Sequence, residues 1–133
     1  MSFIAADNVE KATSFIQTLV IPVSLAGLVN SAAWALNVPF AGTLTAMRWR
    51  SGVVTSTGSK AATLVAQVNG SSVTGGSVSL ASNTDTGTTG AAKAASAITA
   101  GNTFTAAQTV GFVVSAVTAF TEGSGWVELD VTN

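Results

Sequence analysis

The chain of 133 residues contains no cysteine and no histidine. That pair of absences removes disulfide staples, thiolate nucleophiles, imidazole general bases and the softer zinc ligands together. Charge is also scarce. Five basic and six acidic residues make up 8% of the chain, where a soluble domain ordinarily carries about a quarter. The net charge is −1, so there is neither a basic field to hold nucleic acid nor an acidic tail. A monomer with so little surface charge is poorly protected against association, and the expectation is that several of its faces are buried against other protein subunits. No long hydrophobic run is present. The most apolar stretch, 16–29, is interrupted by Gln17, Pro22, Ser24 and Gly27 and falls short of the ~20 residues a membrane span needs. Residues 1–7 lack the basic and apolar regions of an export signal. The reading is a protein assembled in a cytoplasm, with no membrane or nucleic-acid partner, no metal and no cofactor.

What is present is strand grammar. The length suits one domain able to bury a core. Residues 1–13, with Asp7, Glu10 and Lys11 close together, read as an N-terminal arm, and 14–133 as the folded domain. Leu19, Ile21, Val23 and Leu25 alternate with smaller or polar residues, and Pro22 marks that strand as an edge or a bend. Ala32, Trp34 and Leu36 alternate up to Pro39. Thr43 to Arg50 forms the clearest strand, with Leu44, Ala46, Arg48 and Arg50 on one face and Thr43, Thr45, Met47 and Trp49 on the other. Ala62, Leu64, Ala66 and Val68 alternate up to Asn69-Gly70, a hairpin signal because both residues tolerate positive φ. Val73 is a short resumption, Gly75-Gly76 a break, and Val78 and Leu80 a further strand. Ser82–Gly90 holds no large apolar residue and reads as a loop. Ala91–Ala97 reads as strand in spite of its alanines, Gly101-Asn102 as a turn, and Val110, Phe112, Val114 and Ala116 as a strand. Trp126–Thr132 is the last. Short strands punctuated in this way predict an all-β antiparallel β-sandwich or barrel.

The chemistry these residues support is limited. Serines and threonines abound, but no histidine activates one. Ser59-Lys60 would point apart in a strand, and Lys93 with Ser96 lacks the order of a Ser-Lys site. Asp85-Thr86-Gly87 matches the aspartic-protease triplet, yet polar turn residues flank it where that motif needs apolar strands. Asp85 as a calcium ligand lacks spaced acidic companions. Asn69-Gly70-Ser71 fits a glycosylation sequon but is read as the hairpin turn. Glu128 and Asp130, two apart, share one face of the last strand, and Arg48 and Arg50 have the same spacing on theirs. Complementary charge ladders follow, across adjacent strands or between subunits. Trp49, between the two arginines, is assigned to an interface, since Trp and Arg are enriched at protein–protein hot spots. Trp34 and Trp126 are assigned to the core. No catalytic residue is expected.

Four runs carry a family resemblance. They are Pro39-Phe40-Ala41-Gly42-Thr43-Leu44-Thr45-Ala46-Met47-Arg48, then Ala62 to Gly70, then Ile98-Thr99-Ala100-Gly101-Asn102-Thr103-Phe104, and the closing Gly123-Ser124-Gly125-Trp126-Val127-Glu128-Leu129. Together they resemble a β-sandwich module of tailed-phage virion proteins, over about residues 38 to 132. Asn102 stands where that module usually has Asp, and the Ser82–Gly90 loop is longer and more polar. The resemblance implies a jelly-roll-like sandwich, usually trimeric, in a bacteriophage particle.

From this follows the expected function, a capsid decoration (cement) protein. It would sit on the virion surface as a homotrimer, bind the major capsid protein and stabilise capsomer junctions. Phe3, Ile4, Phe15 and Ile16 are expected to anchor the N-terminal segment to a neighbour, and Arg48, Trp49, Arg50, Glu128 and Asp130 to contribute to protein interfaces. The alternative is a tail-fibre or receptor-binding tip that makes contact through the Gly75-Gly76 and Ser82–Gly90 loops.

Overall fold

A computed structural model describes residues 15–133. The expected arm, 1–13, with Phe3 and Ile4, lies outside the described residues. The described strands are β1 (Ile16–Ser24), β2 (Ala33–Asn37), β3 (Gly42–Ser51), β4 (Ala61–Val68), β5 (Ser71–Ala81), β6 (Ala92–Ala94), β7 (Thr103–Phe104), β8 (Thr109–Thr118) and β9 (Ser124–Thr132), with one 3₁₀ turn at Leu25–Gly27. They form two antiparallel sheets. Sheet A has the order β1-β9-β3-β6, with β7 also on β3, and sheet B the order β2-β8-β4-β5.

The pairings nest. β1 pairs with β9, β2 with β8, β3 with β6 and β4 with β5. The chain is in effect one long antiparallel ribbon, rolled so that successive pairs alternate between the sheets. This is jelly-roll order, and the all-β sandwich read from the sequence is the fold observed. At the tip of the ribbon lies Asn69-Gly70, where both residues have positive φ, 51° and 79°. That is the geometry of a two-residue hairpin turn whose twist matches its strands.

Period-2 alternation places the core. Inward residues of β9 (Val127, Leu129, Val131), β3 (Leu44, Met47, Trp49), β4 (Leu64, Ala66) and β8 (Val110, Phe112, Val114) are buried between the sheets. Burying each large side chain contributes about 1.5–3 kcal/mol against leaving it in water. Trp34 on β2 stacks on Phe112, with ring centroids 4.8 Å apart, and is partly buried against the core.

Three irregularities depart from simple alternation. In β3 the register against β9 shifts between Leu44 and Ala46. The extra residue turns Leu44 into the core, whereas Ala46, Arg48 and Arg50 stay outside, so Leu44 does not share the arginine face. In β5, Gly75-Gly76 is a bulge inside one continuous strand and not a break. An added Cβ on Gly75 would lie 1.8 Å from the Ala97 carbonyl oxygen, so only glycine admits that close approach. In β8, Ala116 has φ 50°, and the register against β4 shifts beside it, between Ala61 and Thr63.

One side of the sandwich is closed. The segment after β6 hydrogen-bonds β3 through Ala95 N–H to Met47 O, then crosses to β5 through Ser96 N–H to Ser77 O and Thr74 N–H to Ala100 O. On the opposite side β1 and β2 are the terminal strands of their sheets. Pro22 lies on such an edge, as its missing N–H requires.

Candidate functional site

The charged residues singled out by spacing converge on the outer face of sheet A. β3 and β9 are adjacent, and their register sets Arg48 opposite Glu128 and Arg50 opposite Trp126. Arg48 Nε donates to Glu128 Oε1, and its Nη1 and Nη2 donate to the two oxygens of Asp130 at 2.8 and 3.2 Å. Arg50 Nε reaches Glu128 Oε2 at 3.4 Å, and Arg50 Nη1 donates to the Gly90 carbonyl. Trp126 Nε1 donates to Glu128 Oε2 at 2.9 Å, and Thr18 Oγ1 to Asp130 Oδ1 at 2.7 Å. A single ladder therefore runs across β1, β9 and β3, with both signs balanced.

Its electrostatics follow from this geometry. Asp130 is held below the ordinary carboxylate range mainly by the Arg48 hydrogen bond, against the opposing effect of burial, with help from Thr18. Burial pushes Glu128 up, but the donors Trp126, Arg48 and Arg50 together outweigh it and leave its carboxyl lowered. Arg48 is raised, first by its bond to Asp130. Each shift favours the charged form, as expected of charges held by opposite partners and donors.

Arg48, Arg50, Glu128 and Asp130 are thus brought together, within one chain. Trp49 is not among them. It is fully buried, and its Nε1 donates to Ser51 Oγ at 3.0 Å beneath the sheet. The interface assigned to it is corrected to the core, because the same alternation that turns the arginines outward turns Trp49 inward. Trp126 is corrected in the opposite sense. It lies on the outer face, half-buried, in line with Glu128 and Asp130. Alternation back from Glu128 already places it there. Phe15 and Ile16 stand at the start of β1. Phe15 packs edge-on to Phe40, with centroids 5.2 Å apart, and Ile16 is 73% exposed.

Further polar anchors carry no pairwise spacing that the sequence could show. Glu122 accepts the backbone N–H of Ser56 and of Thr57, each at 2.7 Å, and both their hydroxyls. These donors lower its pKa to about 2. Asp85 accepts the Ala81 N–H and a Lys93 ammonium. Thr86 beside it is fully buried, its hydroxyl 2.7 Å from that of Thr55. The Asp-Thr-Gly triplet therefore pins the Ser82–Gly90 loop to the end of the sandwich.

The chain is defined by its fold as an all-β, two-sheet antiparallel sandwich. No protein-family model matches it, and no curated protein or solved structure is found to match.

Proposed function

We propose that this is a non-enzymatic structural protein of a bacteriophage virion, a decoration protein. It binds the capsid shell through its outer faces and contacts its own copies there, with the homotrimer as the assembled unit. The observation that carries the reading is the outer face of sheet A. There Arg48, Arg50, Glu128 and Asp130 satisfy one another, and the Trp126 indole N–H donates to Glu128 among them. A charged face whose groups are already paired can be covered by a partner without stranding an unpaired charge, which is the costly event in burying ions. Trp and Arg at its centre suit an interface hot spot. The jelly-roll order agrees, since that architecture recurs in capsid proteins, although a fold by itself carries no function.

Electron microscopy of the intact particle tests this reading. Copies tiled over the shell, with sheet A against a capsid subunit, are the expected result. Density confined to the tail would overturn it in favour of the receptor-binding alternative.

A further inference from the structure

The exposed apolar residues of sheet A gather at one margin. Ile16 is 73% exposed and Val20 51%, both on β1, whose only strand partner among the described residues is β9. Nine residues long, β1 carries no charged side chain. Edge strands are ordinarily blunted by charge, shortness or bulges. Within Ile16–Ser24 this one is long and uncharged, with Pro22 the one such device among the described residues.

The hydrogen-bond phase of β1 is set by its ends. Asn133 N–H donates to Phe15 O, and Leu25 N–H to Gly123 O. Odd-numbered residues therefore exchange bonds with β9, and even-numbered ones point their N–H and C=O away from it. Pro22 fits this phase, because its missing N–H falls on the outward side. The outward donors in the first half of the strand are Ile16, Thr18 and Val20.

We propose that the outer edge of β1, unpaired among the described residues, pairs antiparallel with β1 of a second copy, about a two-fold axis at Thr18. In that register Thr18 faces Thr18 of the other copy, and Ile16 faces Val20 twice. Each outward N–H from Ile16 to Val20 meets an outward carbonyl, and Pro22 falls beyond the paired stretch. Registers centred further along the strand set Pro22 opposite a carbonyl it cannot serve. The two most exposed apolar side chains of the strand cover each other. The Asp130 carboxylates of the two copies lie about three inter-strand spacings apart, roughly 14 Å. That exceeds the Debye length of about 8 Å at physiological salt, and each is already paired with Arg48. A two-fold contact of this kind is isologous and closes on itself. The pairing stands whether or not the protein belongs to a virion, and it links trimers pairwise if the three-fold unit also forms.

Solution mass and cross-linking test the pairing. The full chain should have the mass of an even number of copies. Val20→Pro and Val20→Lys should halve that mass while retaining the β-sheet circular dichroism, because the Val20 N–H does not bond β9. The chain has no native cysteine, so Thr18→Cys should oxidise to a covalent dimer, its Cα atoms about 5.5 Å from their partners, whereas Ser24→Cys should not. A mass of one or three copies that Val20→Pro leaves unchanged overturns the proposal. So does Thr18→Cys linking no faster than Ser24→Cys, the result expected if residues 1–14 of the same chain cover the edge.

Discussion

Arg48 and Glu128 face each other across β3 and β9, 80 positions apart in sequence, and the same guanidinium reaches one step along β9 to Asp130. Removing Arg48 leaves two carboxylates on one face of one strand without their principal counter-ion. Arg48→Ala is expected to cost about 1–2 kcal/mol, between the values for exposed and for buried ion pairs. Arg50→Ala should cost less than about 1 kcal/mol, since Arg50 is more exposed than Arg48 and its closest approach to Glu128 is longer. Urea denaturation of the two variants checks the order, and an equal loss in both would contradict it.

The acid limb of stability has a direction. The folded pKa of Glu122 is about 2, against an ordinary value of 4.5, and Glu128 and Asp130 are also lowered. Between the two Glu122 values the unfolded chain binds the extra proton, so the stability these groups confer is full above about pH 4.5. It is lost as pH falls toward 2. Melting temperature should fall on acidification through this window. Glu122→Gln should flatten part of that slope, as thermal melts from pH 6 to pH 2.5 would show.

Asn102 closes the β3 bulge from both sides. Its carbonyl accepts the Leu44 N–H at 2.8 Å, and its side-chain amide donates to the Leu44 carbonyl at 2.8 Å. Asn102→Ala should cost about 1–3 kcal/mol by orphaning that acceptor. Asn102→Asp should cost at least as much at neutral pH, since a carboxylate then faces a carbonyl, and should recover as the acid is protonated. Chemical denaturation at pH 7 and pH 4 distinguishes the two.

Backbone strain and close approach make opposite predictions at two positions. Ala116 occupies the left-handed region, where an L-residue costs about 1–2 kcal/mol. Ala116→Gly relieves this, less the roughly 0.5–1 kcal/mol of chain entropy that glycine adds, and should leave the protein unchanged or up to about 1 kcal/mol more stable. Gly111→Ala would drive a Cβ to 1.7 Å from the Trp34 carbonyl oxygen. It should separate β2 from β8 and lower the melting temperature sharply. Thermal melts of both variants give the comparison.

Much of the sandwich was legible because alternation, Gly/Asn turns and the position of Pro22 are local signals. The two-apart spacing of Arg48 with Arg50 and of Glu128 with Asp130 was legible in the same way, each pair being fixed to one face by the pleat. Leu44 was misplaced because a bulge adds one residue and inverts the alternation beyond it, and no local residue type announced it. Trp49 and Trp126 were exchanged because a large aromatic suits a core and an interface equally. Glu122 and Thr86 were illegible as anchors, since their partners lie some 30 to 66 residues distant.

By itself the sequence determined the class of fold, the turn at Asn69-Gly70 and which side chains share a strand face. The scarcity of charge and the absence of cysteine and histidine set bounds on its chemistry. Only the tertiary structure decided that β3 lies beside β9, and so that four separate charges form one ladder. It also left β1 as an edge. Strand neighbours in a rolled ribbon are chosen by how two sheets bury their inner faces together, a property of the whole chain and not of any segment within it.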